Sequence, residues 1–468
     1  MNQKNKDTII ALATSSGVGA IAVIRLSGEK SIEITNQFFQ SKFGNKDLNK
    51  VKTHTIHLGN ITENYQVIDE VLVSIFKNPH SYTGENVVEI SCHGSVYIQQ
   101  EILQLFLKNN VRHADAGEFT LRAFINGKMD LSQAEAVADV IASDSKASHQ
   151  IALQQMRGGF SNEIKNLREQ LLNFASLIEL ELDFAEEDVE FADRKQFQEL
   201  VAKITLVLKQ LIDSFAVGNV LKNGIPVAII GEPNVGKSTL LNALLNEEKA
   251  IVSHVAGTTR DAIEDDITID GVTYRFIDTA GIRETKDEIE SIGIKKTFEN
   301  IEKAQLVLHL VDGSKAQDLQ KEIKSLKGNY PSKKVITIIN KTDLLNKEDI
   351  SLLNTQYLRG QKVDSNLILL SAKNKTGIDT LLKNLTNLAN TGILSNNQTI
   401  VSNSRHFEAL NNALKSTIEV QKGIDANVSS DLFAIDIRQA LFHLGLITGE
   451  ITTDDLLGNI FANFCIGK

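Results

Sequence analysis

The sequence has no tryptophan, and its 468 residues include only 4 prolines and 2 cysteines. Scarce proline leaves long helices uninterrupted, which suits a helix-rich protein. The cysteines, Cys92 and Cys465, are too few for a disulfide framework or a cysteine-built zinc site, so a reducing cytoplasm is the expected setting. No apolar run reaches the ~18 residues of a membrane span, and no membrane association is expected. An excess of positive charge is missing too. Lys and Arg number 49 against 59 Asp and Glu, a formal charge of −10, which argues against a broad basic surface and nonspecific nucleic-acid binding. A specific RNA partner at a local patch stays compatible with that balance. Lysines and an apolar stretch open the chain, but Gly17, Gly19 and Arg25 interrupt it and no small-residue cleavage site follows, so it is not read as a signal peptide. The closing Cys465-Ile-Gly-Lys468 lacks the second aliphatic residue, the usual final residue and the basic tract of a prenylation signal.

What is present organises the chain into several domains, since this length exceeds a single hydrophobic core. Residues 1–125 alternate short β-rich runs with turns and one or two helices, an α+β pattern. Strands are expected over Ile9–Ala13, Ala20–Leu26, Val71–Phe76 and Val87–Ser91, and a helix over Val96–Leu107. Helical sequence dominates 126–222. Ser132 and Glu135 read as a capping box, and Ile164, Leu167, Leu171, Phe174 and Ile178 keep helical spacing. Residues 223–386 alternate strand and helix, as in a parallel α/β sheet. Helical sequence returns over 387–468, clearest from Arg405. The expected fold is multidomain: an α+β N-terminal domain, a discontinuous α-helical domain, and an α/β P-loop domain of Ras-like type inserted into it.

The inserted domain carries the chemistry. Gly231-Glu-Pro-Asn-Val-Gly-Lys-Ser238 follows a buried-strand run, Ile225–Ile230, and precedes a helical run from Thr239. This is a phosphate-binding loop in its proper context. Asn234, Val235, Gly236, Lys237, Ser238 and Thr239 are placed to bind a nucleotide: backbone N–H groups and the helix N-terminus face the phosphates, Lys237 reaches the β/γ-phosphates and Ser238 holds Mg²⁺. Asp278-Thr279-Ala280-Gly281 follows another strand; the Asp binds Mg²⁺ through water and Gly281 senses the γ-phosphate. Asn340-Lys341-Thr-Asp343 follows a third. The Asp343 carboxylate accepts two hydrogen bonds from guanine, an edge adenine does not offer. Ser371-Ala372-Lys373 closes over the base. Four such elements in order select GTP as the substrate. The segment Ser253-His254-Val255-Ala256-Gly257-Thr258-Thr259-Arg260 is the candidate first switch, with Thr259 completing the Mg²⁺ shell. Ile282 stands where many small GTPases carry a water-orienting Gln, so hydrolysis needs other means. Arg260 and Arg283 are candidate fingers, each read as a solvated switch arginine.

Over nearly its whole length the chain resembles the bacterial tRNA-modifying GTPases of the MnmE (TrmE) family. The resemblance rests on Asp7-Thr-Ile-Ile-Ala, Arg25-Leu-Ser-Gly28, Tyr82-Thr-Gly-Glu85, Glu89, His93-Gly94, Gly117-Glu-Phe-Thr120, Arg122-Ala-Phe124, Asn126-Gly-Lys-Met-Asp-Leu131, Gln133-Ala-Glu-Ala-Val-Ala-Asp139, Gly257-Thr-Thr-Arg-Asp261 and Phe464-Cys-Ile-Gly-Lys468. It implies a homodimer, joined through a folate-binding N-terminal domain, that works with a flavoprotein of the MnmG (GidA) family as a heterotetramer. Together they place a carboxymethylaminomethyl-type group on carbon 5 of the wobble uridine of tRNA. A tetrahydrofolate derivative supplies the one-carbon unit, and potassium-dependent GTP hydrolysis drives the reaction. By position it implies folate contacts at Arg25, Glu89, Lys128 and Lys468. It also implies K⁺ ligands at Asn234, Ser253, Val255 and Thr258, Mg²⁺ ligands at Ser238 and Thr259, and a hydrolytic switch glutamate at Glu290. A carboxylate at Glu89 suits the amino-pyrimidinone edge of a pterin, and the basic residues suit its carboxylate tail. Cys465 is a candidate nucleophile, although the apolar tail Ile460–Ile466 that holds it is expected to pack into a pocket, and His93 is read as structural. The pattern departs at Ser15-Ser-Gly-Val18, where Pro-Pro-Gly-Arg is expected, and at Ser95, where Gly is expected. Rival readings are an assembly or ribosome-biogenesis GTPase switch without catalysis, and a folate enzyme acting alone with the G domain as regulator.

Overall fold

The computed structural model describes residues 7–183, 194–246, 251–252, 265–277, 299–314, 323, 326, 328–331, 333–353, 367–389, 399–426, 428, 430–462 and 464–467. The N-terminal part runs β1 (Ile9–Leu12), β2 (Ile21–Ser27), α1 (Ser31–Phe38), β3 (Phe39–Ser41), β4 (Thr55–Glu63), β5 (Gln66–Phe76), β6 (Val87–His93), α2 (Val96–Leu107), β7 (Arg112–His113) and α3 (Glu118–Ile125). Its strands form one sheet in the order β3-β4-β5-β6-β2-β1-β7. All neighbours are antiparallel except β1 and β7. Strand alternation sends Ile24, Leu26, Val73, Ile75, Val88 and Ile90 to one face, where they bury against Ile32 of α1 and Ile102, Leu105 and Phe106 of α2. Truncating Ile24 or Ile90 to Ala, both without exposed surface, would cost about 2–5 kcal/mol. On the other face Arg25 and Glu89 stand side by side on β2 and β6.

Four helices follow: α4 (Leu131–Ala142), α5 (Lys146–Met156), α6 (Gly159–Asp183) and α7 (Arg194–Asn223). The capping box of α4 lies two residues before its expected position. Asp130 Oδ1 accepts from the Gln133 N–H at 3.0 Å, and Gln133 Oε1 accepts from the Asp130 N–H at 3.0 Å. Ser132 is already helical and donates its hydroxyl to Asp130. The carboxylate takes the cap because it accepts both the serine hydroxyl and a backbone donor, leaving the serine no capping role. On α6 the expected stripe is the buried one: Ile164, Leu167, Leu171 and Ile178 are buried, Phe174 half so.

The remaining elements are β8 (Ile225–Ile230), α8 (Lys237–Leu245), β9 (Ile251–Val252), β10 (Asp265–Ile269), β11 (Val272–Phe276), β12 (Leu306–Asp312), β13 (Lys334–Asn340), α9 (Lys347–Leu353), β14 (Leu367–Leu369), α10 (Ile378–Ala389), α11 (Ser404–Asp425), α12 (Ser430–Thr448) and α13 (Asp454–Phe461). The second sheet has the order β14-β13-β12-β8-β11-β10-β9. It is parallel from β14 to β11, and β10 pairs antiparallel with both neighbours. Helices cover both faces of the central strands, so β8, β12 and β13 read as nearly continuous apolar runs.

Two compact units result. One comprises Met1–Ala138, Gln155–Ile204 and Asn412–Lys468, the other Asp139–Gln154 and Thr205–Asn411. In the first, Phe197 stacks between Phe174 of α6 and Phe433 of α12, at 5.1 and 5.9 Å. In the second, Ala147 and Ile151 of α5 join the core of the parallel sheet, and the Ala147 N–H donates to the Gly271 carbonyl at 3.1 Å.

Candidate functional site

The strand order of the second sheet gathers its loops at the carboxyl ends of β8, β12, β13 and β14, where α/β sheets bind ligands. The loop after β8 bends through two glycines with positive φ, Gly231 at 150° and Gly236 at 104°. A Cβ at Gly231 would collide with the Leu310 carbonyl, and one at Gly236 with the Asn340 amide. Only glycine lets the loop lie this close to the neighbouring strands and curl into the N-terminus of α8. Asn234 takes a left-handed conformation, φ 60°, and its side chain is exposed. Lys237 donates to the carbonyls of Gly231 at 2.7 Å and Glu232 at 3.0 Å. Burial lowers the pKa of its ammonium below the ordinary value. Ser238 stands beside it in the first turn of α8, half-buried, and Thr239 is exposed.

Asn340 joins three of the expected loops. Its Nδ2 donates to the Val235 carbonyl at 2.8 Å, and its Oδ1 accepts from the Ala372 N–H at 3.0 Å. The side chain is buried, so both bonds are made away from competing water. Asp343 is exposed, with Oδ1 accepting from the buried Ser371 hydroxyl at 2.6 Å. Beyond closing over the base, Ser371 thus holds the Asp343 carboxylate with its side chain. Lys341, φ 62°, donates to Asp312 at 2.8 Å. Lys373 is exposed. Nothing in the motif pattern drew attention to Asp312, which ends β12 opposite Asn340. The available signal was an acid closing an otherwise apolar strand. Ser253, His254, Val255, Ala256, Gly257, Thr258, Thr259, Arg260, Asp278, Thr279, Ala280, Gly281, Ile282, Arg283, Glu290 and Lys468 lie outside the described residues.

A second set of expected residues meets in the N-terminal part. Arg25 Nε and Glu89 Oε1 are 2.8 Å apart, a cross-strand ion pair. The Arg25 guanidinium lies 5.4 Å from the Tyr82 ring centre and 5.7 Å from that of Phe119. Lys128 is engaged elsewhere, donating to the Pro79 carbonyl at 3.0 Å. The chain end returns to this domain. The Gly117 N–H donates to the Cys465 carbonyl, and Ala116 bridges Ile466. Phe461 and Phe464 bury against Leu131 and Ala134, while the Cys465 thiol stays exposed beside a cavity of about 960 Å³ that residues 12–19 also line. His93 donates its backbone N–H to Asp69, 2.8 Å, and its ring pairs with the other oxygen at 2.7 Å.

The segments that carry the resemblance also converge on a buried charge network. Arg122, only 2% exposed, contacts Asp7 at 2.6 Å, Glu118 at 2.9 Å and Glu85 at 3.2 Å. Arg112 adds contacts of 2.6 Å to Glu118 and 2.7 Å to Asp7. Burial pushes the carboxyl pKa values of Asp7 and Glu118 up, but hydrogen bonds from these arginines outweigh it and leave both below their ordinary values. Charge interleaved with apolar residues was the sequence signal; which charges meet was not.

Comparison with known proteins agrees in kind. A family model described as the MnmE helical domain matches residues 131–465, and one described as the GTP-binding protein TrmE N-terminus matches residues 8–128. The tRNA modification GTPase MnmE of Flavobacterium johnsoniae is 63% identical over 99% of this chain and 100% of its own. That of Christiangramia forsetii is also 63% identical over the same shares, and that of Bacteroides fragilis is 53% identical over 99% and 100%. Among solved structures, the G domain of the T. maritima FeoB iron transporter aligns with 35% of this chain and 98% of its own at 25% identity, with a TM-score of 0.25. Matched by domain models along most of its length and by such relatives along nearly all of it, this chain belongs to the MnmE family.

Proposed function

We propose that this protein hydrolyses GTP in the service of tRNA modification. The observation that carries the reading is Asn340, whose buried amide ties the phosphate loop to the loops that read and close over the base. Relatives sharing more than half its residues are named tRNA modification GTPases, which supports the same activity here. Asp343, exposed and aimed by Ser371, reads the N1–H and amino group of guanine. Lys237 and the N–H groups at the start of α8 take the phosphates. The Ser238 hydroxyl, in the first turn of α8, fits a Mg²⁺ ligand, with Thr259 as its partner. The exposed Asn234 side chain fits a K⁺ ligand, with Ser253, Val255 and Thr258 as the proposed remaining ligands. These cations would offset charge that builds between the phosphates, the role of a finger elsewhere. Glu290 positions the water.

The finer reading adds a homodimer formed through residues 1–125, a flavoprotein of the MnmG family bound in a heterotetramer, and modification at carbon 5 of the wobble uridine. The helical segments are 126–222 and 387–468, and the G domain spans 223–386. A tetrahydrofolate supplies the one-carbon unit. A carboxylate paired with an arginine that lies near two aromatic rings suits a folate: Glu89 would take the donor edge of its amino-pyrimidinone ring, and Arg25, Lys128 and Lys468 would take the carboxylates of its tail. Reconstitution tests the whole. With tRNA, reduced folate, GTP, KCl and flavoprotein, mass spectrometry of the nucleosides should show the modified wobble uridine, and omitting any component should abolish it. Unmodified uridine in the complete mixture would overturn the reading.

A further inference from the structure

We propose that Asp312 is a positioning residue for nucleotide retention, acting through Lys341. The inference rests on the GTP-binding reading and extends it to a residue outside the four sequence elements. Lys341 precedes the base-reading Asp343 by two positions, with a left-handed backbone at φ 62°. A lysine stem has four rotatable carbons and, if free, must be ordered each time the base binds. Here it is ordered in advance. Lys341 Nζ meets Asp312 Oδ2 at 2.8 Å. The other oxygen, Oδ1, is itself held by the Ser314 N–H at 3.0 Å and its hydroxyl at 2.7 Å. Asp312 and Asn340 are register partners at the carboxyl ends of β12 and β13, so the post stands on the same rigid strands that carry the base loop. The Asp312 side chain is mostly buried, 16% exposed, and the Lys341 side chain 31%, which shields the pair from the screening that makes surface ion pairs weak. Pinned at its tip, the Lys341 stem forms a fixed wall beside Asp343, against which one face of guanine packs.

The test uses the full chain and stopped-flow release of a fluorescent GDP. Asp312→Asn keeps an acceptor for Ser314 but removes the charge that holds Lys341, and Lys341→Met keeps the stem but removes its anchor. Each should speed GDP release about tenfold, the cost of ordering one long side chain, and raise the KM for GTP in parallel. The double substitution should release GDP no faster than either single one, because both remove the same pin. Asp312→Glu should restore part of the retention. Unchanged release in Asp312→Asn would overturn the proposal. So would an Asp312→Asn effect that is fully additive with Lys341→Met, since Asp312 would then act on the fold at large. Failure of the unsubstituted protein to retain GDP at all would instead sink the nucleotide-site reading on which the proposal stands.

Discussion

The Asn340 side chain donates to the Val235 carbonyl at 2.8 Å, joining two loops 105 residues apart. Its other end accepts from Ala372, so one amide couples the phosphate loop to both base loops. Asn340→Ala should leave a buried carbonyl and a buried N–H without partners, at about 1–3 kcal/mol each. Titration with fluorescent GDP should show affinity falling by roughly 100-fold or more, and a loss under tenfold would show that the loops hold together without it.

Base choice should follow Asp343. Asp343→Asn should lose GTP by roughly 100-fold or more and gain xanthosine triphosphate, whose extra carbonyl accepts from the new amide. Competition binding with the two nucleotides decides it: normal GTP hydrolysis in the variant means that Asp343 does not read the base. Ser371→Ala, which frees the carboxylate without removing it, should give a weaker loss, about tenfold.

Hydrolysis should be faster in KCl than in NaCl by at least about tenfold. Ile282 cannot orient water, and a cation held at Asn234 would supply the missing charge. Because Asn234 sits at φ 60°, Ala would add backbone strain. Asn234→Gly is therefore the cleaner variant, and it should erase the salt difference while GDP still binds. Glu290→Ala should slow turnover without preventing dimerisation. Equal rates in the two salts would return attention to Arg260 and Arg283.

Glu89→Ala should weaken binding of a reduced folate, as read by calorimetry, and abolish tRNA modification, while basal GTP hydrolysis stays within a few-fold. It also leaves Arg25 without its 2.8 Å partner, so the melting temperature is measured alongside. Unchanged folate affinity would remove Glu89 from the site.

The Arg122 network should set acid stability. Asp7 and Glu118 have folded pKa values below their unfolded values of 3.8 and 4.5. A depressed carboxyl pKa contributes stability above the unfolded value and loses it as pH falls through the folded one. That contribution is therefore complete above about pH 4.5 and is lost progressively as pH falls below it. Arg122→Met should destabilise the protein by about 3–5 kcal/mol at neutral pH, because Asp7, Glu85 and Glu118 lose the buried guanidinium they share and are left close to one another. Acidification to about pH 3 should narrow the gap between variant and parent in urea unfolding. A gap that stays constant with pH would mean the loss is one of packing alone.

Much of the architecture was legible because it is written in local patterns. The helix at Val96–Leu107 and the buried stripe of α6 follow apolar spacing alone. The phosphate loop was legible because strand, glycines, lysine and helix are contiguous. The α4 cap shows where such reading slips. Ser132 and Glu135 match the motif as well as Asp130 and Gln133 do, and only the hydrogen bonds separate them.

The sequence by itself determined the strand-and-helix alternation of the α/β domain and its motif residues, since each depends on neighbours within a few positions, but in residues 1–125 it showed one or two helices where the structure has three. Tertiary structure alone decided that Asp312 holds Lys341, that Ser371 aims Asp343, that Arg25 pairs with Glu89, and that Asp7, Glu85 and Glu118 meet at Arg122. These partners lie apart along the chain, and strand order and register bring them together. A charged side chain carries no local mark of its partner, because Coulomb attraction and hydrogen bonding act on distance in space, which only the completed fold defines.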